Sequence, residues 1–285
     1  MDDRNTPLEE KYLGLTPSQF NLAFFAVVGT IGLGIAIYFG AFGALLGSSG
    51  GDGSSSETAV VETSTPTSTG EARPAPTVTA EEAANSAVLK LADMPSGWAK
   101  DAPDDDDDEG DFEFSEECAM LNVETFPGEL ASAESADFEG PAGQSASSDS
   151  SVFTSAEVAK ATLQEFNDTL SRCQGEFVQA FKTALLEGAG LSEEDALAAG
   201  LRLSFQDGPP LPQLGDLMTV NRLEIDMTVE GIDLHMIIDF VTIAEGRLVG
   251  GLYYFSVGEV NSLEEEVLAE TIANKLAEAS ASLAE

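Results

Sequence analysis

The chain has 285 residues with 51 acidic and 12 basic side chains, a formal net charge of −39. Such a surface repels nucleic acid and anionic lipid headgroups, and it suits cations, basic partners or a high-salt medium. Against that background, residues 12–51 carry no charge at all.

Within this stretch Leu22–Leu46 is almost wholly apolar. A hydrocarbon core about 30 Å thick needs roughly 20 such residues in a helix, so residues 22–46 are expected to cross the lipid bilayer. Arg4 and Lys11 precede the run, and the next basic residue is Arg73. The positive-inside bias then leaves residues 1–21 as a short cytoplasmic tail and places the C-terminal mass outside, as a single-pass cell-membrane protein. A signal peptide is the alternative. The run exceeds the usual apolar region of about 7–15 residues, and Ala41-Phe42-Gly43 is a poor cleavage match. No Cys follows closely, which argues against a lipid anchor.

Gly32, Ala36, Gly40 and Ala44 recur at spacing four and share one helix face. Such a small-residue face lets two membrane helices approach closely, either in a homodimer or with another membrane protein. Gly and Ala are also simply common in membrane helices.

Residues 47–80 are dominated by Ser, Thr, Gly and Pro and carry no apolar periodicity. They read as a disordered tether. Residues 81–285 then suffice for one extracytoplasmic domain with a real core. A short helix is expected over Glu81–Leu91, before Met94-Pro95, with Trp98 as a core anchor. Short strands are expected near Ala136–Glu139 and Ser150–Phe153. Ser155 can cap a helix to Arg172 whose apolar side is Val158, Ala161, Leu163, Phe166 and Leu170. Further helices are expected over Glu176–Glu187 and Ser192–Ala199, and a short strand over Leu201–Phe205.

The C-terminal third changes period. Leu223, Ile225, Met227 and Val229 alternate with polar residues, as do Ile232, Leu234, Met236, Ile238 and Phe240. Glu230-Gly231 reads as the hairpin turn between them, and Glu245-Gly246 separates the second run from Leu248–Val257. The three runs form an antiparallel meander. Ser262 and Glu265 have capping-box spacing, opening a helix to about Leu283 with Leu263, Val267, Leu268, Ile272 and Leu276 against the sheet. Grouped strands with helices before and after argue an α+β domain.

Cys118 and Cys173 both fall in the presumed outer domain, where a disulfide can form and persist; two buried thiols are the alternative. Asp105, Asp107 and Glu109, with Gly110 and Glu116, nearly match a calcium loop, and Asp111 adds a further carboxylate. A run of acids fills such positions automatically, so the segment also reads as a solvated acidic loop. No other cofactor is implied. His235, the single histidine, lacks partners for zinc or catalysis and reads as a half-exposed strand residue. Asn167-Asp168-Thr169 is a glycosylation sequon, but it falls on a predicted helix. There is no H-E-x-x-H motif and no phosphate-binding glycine loop, and carboxylates are too abundant to single out an acid/base pair.

The segment Val88–Lys100 (VLKLADMPSGWAK), the acidic stretch after it, Cys118, a helix ending near Cys173 and a closing hairpin plus helix resemble one family. It comprises the outer sensor domains of actinobacterial receptor Ser/Thr kinases and related small cell-envelope lipoproteins. The resemblance implies a curved antiparallel sheet backed by helices, with a groove for an undefined ligand. The chain departs from it in two ways. Residues 1–21 are too short for a kinase domain, and no lipidated Cys is present. The expected function is a non-enzymatic, membrane-anchored binding or sensor-like module; the alternative is a structural or accessory subunit of an envelope assembly.

Calorimetric titration with calcium separates the readings of the acidic segment. Heat at low millimolar calcium is the signature of the loop site, and its absence leaves a solvated loop.

Overall fold

The computed structural model describes residues 78–101, 114–123, 125–188, 191–229, 231–258 and 260–283. The expected membrane segment, most of the tether and Asp105–Asp111 lie outside them. No described helix is both long and apolar enough to cross a membrane.

The elements follow in chain order: α1 (Ala80–Ala87), a 3-10 turn (Leu91–Asp93), β1 (Ala99–Lys100), a 3-10 helix (Glu116–Asn122), β2 (Glu129–Glu134), β3 (Phe138–Glu139) and β4 (Ser145–Phe153). After them come α2 (Ala156–Arg172), α3 (Gln174–Gly188), α4 (Glu193–Ala198), β5 (Arg202–Asp207), β6 (Leu217–Val229), β7 (Ile232–Glu245), β8 (Leu248–Val257) and α5 (Ser262–Ser282). The strands form one eight-stranded sheet in the order β1-β3-β4-β8-β7-β6-β5, with β2 also on β4. Every neighbouring pair is antiparallel. The α+β class therefore holds, and the expected meander is the centre of a wider sheet.

Strand alternation divides the core into two layers. From β7, Met236, Ile238 and Phe240 pack with Leu170, Phe177, Phe181 and Leu185 of α2 and α3. Val241 and Ile243 point the other way, toward Leu268, Ile272 and Leu276 of α5 and the alanines of α1. Trp98 is buried in this second layer, as expected.

Local chemistry explains the element ends. The Thr79 side chain accepts from the Glu82 N–H and caps α1, so the end of the expected tether already belongs to the domain. Two serines of β4 tie α1 down: Ser150 Oγ donates to the Ala84 carbonyl at 2.8 Å, and Ser148 Oγ accepts from the Leu89 N–H at 2.8 Å. These polar residues sit in a buried strand because they answer backbone groups at a helix end. Ser155 caps α2 as expected. Its buried side is Ala159, Thr162, Leu163, Thr169 and Leu170, while Ala161 is exposed.

The expected cap of α5 is corrected. Asn261 is the cap, with its side chain accepting from the Glu264 N–H. Glu265 does not close a box but is buried with Leu268, Ile272, Leu276 and Ala279. A helix turns about 100° per residue, so Leu263 and Val267 fall on the opposite side from that stripe. They are 71% and 46% exposed. β6 also starts at Leu217, earlier than the expected Leu223.

Cys118 and Cys173 are joined by a disulfide that clamps the 3-10 helix to the end of α2, across a sequence separation of 55. Closing a loop of that length constrains the unfolded chain by about 4 kcal/mol in the chain-entropy account. Replacing both cysteines by serine is expected to lower unfolding stability by about 2–4 kcal/mol, read from denaturant melts.

Candidate functional site

Two features of the sheet place carboxylates where water cannot fully reach them, one on each face. The first is on the side of α2. Because Ser155 starts α2 immediately after β4, the helix folds back over the sheet and leaves a cleft of about 50 Å³. Phe126, Phe153, Leu163, Phe166, Val249 and Tyr253 provide its apolar walls, and Asp149, Ser151, Thr162 and Thr242 provide its polar atoms. The Phe126 ring meets Phe153 and Phe166 at centroid distances of 6.4 and 6.2 Å. A second narrow space continues from it past Phe166 and Tyr253 toward Phe177, Phe205 and Phe240.

Asp149 sits on the floor. Part of the residue borders the cleft, but its Oδ1 is sealed from solvent and has no hydrogen-bond partner. Burial pushes the carboxyl up to about 6. The Gly251 N–H and the Tyr253 hydroxyl pull it back in part, without giving Oδ1 a bond of good geometry, and the Glu129 carboxylate adds a further upward push. The strand opposite is built around this group. A Cβ at Gly251 would overlap Asp149 Oδ1 and stand 3.0 Å from the Tyr253 hydroxyl. Its neighbour Gly250 faces the other layer, where a Cβ would lie 2.9 Å from Leu276. The Gly-Gly pair thus admits a carboxylate on one face and a helix on the other.

The second feature lies under the start of α5. Arg222 of β6 and Asp239 of β7 are register partners and share a face. The guanidinium donates twice, Nε to Oδ1 at 2.7 Å and a terminal nitrogen to Oδ2 at 2.6 Å. Asp239 and Glu265 are both 0% exposed. Burial, then the Asp239 charge, pushes the Glu265 carboxyl up to about 7, while Arg222 opposes the shift. Asp239 is also raised, by burial first, with Arg222 pulling it down. Beside them the Tyr254 hydroxyl donates to Glu264 at 2.8 Å, and burial raises its phenol. Both Glu265 oxygens are buried without a hydrogen-bond partner, so burial and the Asp239 charge favour the neutral carboxyl.

Outside this cluster lies an open groove of about 510 Å³ lined by Pro209, Arg222, His235, Ile237, Gly258, Val260 and Ser262. Its Arg222 is already paired with Asp239, and the His235 ring Nδ1 is hydrogen-bonded with Asp226 at 2.8 Å. It is wide and shallow where the α2 cleft is narrow and walled.

The residues expected from sequence are placed as follows. Cys118 and Cys173 are bonded. Glu116 opens the 3-10 helix and is exposed, while Asp105, Asp107, Glu109 and Asp111 lie outside the described residues. Gly32, Ala36, Gly40 and Ala44 lie outside them too. No group of three His, Cys, Asp or Glu among the described residues could hold a metal ion. The sequon falls in the middle of α2 with Thr169 buried, as its helical placement implies. Asp149, Arg222 and Asp239 are not singled out by the sequence, and Glu265 is marked there only as a capping-box residue. The available signals were Gly250-Gly251 inside a strand and an acid three residues before Leu268 on the buried stripe of α5.

No protein-family model matches the chain, and no curated relative does. Among solved structures, it is similar to the crystal structure of the extracellular domain of PknH from Mycobacterium tuberculosis. The TM-score is 0.40 and the identity 14%, over 70% of this chain and 95% of that one. At that degree of overlap no residue role passes from that protein to this chain.

A raised carboxyl sets a direction for stability. The contribution of Glu265 is full below its ordinary value of 4.5 and is lost as pH rises through about 7. Melting curves of the chain and of Glu265→Gln, compared from about pH 5 to about pH 8, are expected to diverge by about 1–3 kcal/mol in favour of the variant at the high end. Parallel curves would show that Glu265 is not held neutral.

Proposed function

We propose that this chain is a membrane-anchored extracytoplasmic binding module, without catalytic activity of its own, that takes a small ligand in the cleft between α2 and the sheet. The observation that carries the reading is an aromatic-walled cleft whose lining holds one carboxylate, Asp149, and no Lys, Arg or His. A pocket of apolar walls with few polar groups is the usual form of a small-molecule site. The anchored, outward-facing placement draws on the uncharged run 22–46, the basic residues before it and the Cys118–Cys173 bridge.

A second reading, as an accessory subunit of an envelope assembly, draws on α5. Leu263 and Val267 lie one turn apart on its outer side and are exposed. Such a pair supplies a contact for a partner helix. Photocrosslinking from position 263 in intact cells is the direct test of that reading, with one reproducible adduct in its favour.

The binding reading is tested on the full-length chain in lipid nanodiscs, with a panel of small apolar and amphiphilic compounds followed by ligand-observed NMR. Binding is expected, and it is expected to be lost in Val249→Phe, which puts a ring into the cleft. Absence of binding, or binding indifferent to that substitution, would overturn it. Peptide mapping of native protein without reductant tests placement: a Cys118–Cys173 bridge is expected, and two alkylatable thiols would contradict it.

A further inference from the structure

We propose that the ligand of the α2 cleft is a small organic ammonium ion, with Asp149 opposite the charge and the aromatic walls around its alkyl part. This deepens the binding-module reading and rests on it.

The argument starts from what the cleft lacks. Its lining holds one carboxylate, two threonines, a serine and a tyrosine, and no Lys, Arg or His. A carboxylate in such surroundings is costly unless a donor or a cation meets it. On the other face Asp239 has its cation in Arg222. Asp149 has none, and its Oδ1 is left without a donor. An N–H⁺ group entering the cleft would supply the charge that the lining lacks, against the part of Asp149 that borders the cleft, since Oδ1 itself is sealed.

The walls narrow the class further. Phe126, Phe153, Phe166 and Tyr253 present rings around the space. Ring faces attract cations and cover methylene groups equally well, whereas they offer nothing to an anion. An anion would also meet Asp149 and a chain of net charge −39. A bare metal ion would need more oxygens than Asp149, Ser151 and two threonines bring in fixed geometry, and hard cations take about six or more. Room for about 50 Å³ admits an ammonium head and its first carbons.

Gly251 belongs to the same design. Any side chain there would displace the Asp149 carboxylate from the floor. The groups facing Asp149 are Gly251 and Tyr253 of β8, Thr242 of β7, Thr162 of α2 and Ser151 of its own strand, with Glu129 of β2 acting through its charge. Glu129 is held above its ordinary range by burial and is bonded to the Phe126 N–H and the Ser151 hydroxyl. The carboxyl of Asp149 itself titrates near 6, so the cation should leave as the medium acidifies through that value.

The test compares n-butylammonium with 1-butanol, its neutral isostere, on the full-length chain in nanodiscs by ligand-observed NMR. Butylammonium is expected to bind about tenfold or more tightly than butanol at neutral pH. Asp149→Asn is expected to abolish that preference while leaving butanol binding in place. On the unsubstituted chain the same preference should vanish below about pH 5, which tests the proposal even where the variant folds poorly. Equal binding of the two compounds, or a preference that survives Asp149→Asn or low pH, overturns the cation assignment but leaves the binding site. Binding of neither overturns the cleft as a ligand site altogether.

Discussion

Burying a carboxylate inside a sheet is the constraint around which this domain is arranged. Ionised acids belong in water, and moving one into an apolar layer costs several kcal/mol unless its charge is answered. The sheet does this on both faces with opposite solutions. Asp239 is answered within the protein, by a two-pronged bond from Arg222 on the adjoining strand. Removing one partner of such a pair typically costs about 3–5 kcal/mol, so the pair fixes β6 against β7. Asp149 is answered only in part, by hydrogen bonds that leave one oxygen without a donor.

The packing of helices follows from these two choices. On the α5 side the layer is closed: Glu265 and Asp239 are both fully buried and act on each other, and Leu276 sits against Gly250 with no room for a side chain between them. α1 closes the rest with alanines that are fully buried. On the α2 side Thr162, Leu163 and Phe166 stop short of the strands and leave the cleft. The disulfide holds the far end of α2 to the 3-10 helix, so the opening is framed by a covalent link at one end and by the Ser155 cap at the other. Function, on this account, sits where the core was left unfinished.

Much of the frame was legible because it depends on local rules. Period-two alternation gives much of β6 and β7, Gly231 and Gly246 take the positive φ that their turns demand, and Ser155 has the chemistry of a cap. What was hidden depends on partners far apart in sequence. Only the end of β4, Ser150–Phe153, reads as a strand, because the serines before it look hydrophilic until α1 arrives to use Ser148 and Ser150. Ser262 and Glu265 have the right spacing for a capping box, yet Glu265 is drawn inward beside Asp239 and Asn261 takes the cap. Asp149 was one acid among many. Only the cross-strand register that sets it opposite Gly251 marks it out.

The central claim, that Asp149 is a half-buried carboxylate in the α2 cleft awaiting a cation, is tested most directly by its own titration. Carbon-detected NMR of the full-length chain, with Asp149→Asn used to assign the side-chain carboxyl signal, gives its midpoint. The account predicts a midpoint near 6 in the free protein, moving to lower pH when n-butylammonium is added. A midpoint at the ordinary aspartate value near 3.8, unmoved by butylammonium, would contradict it.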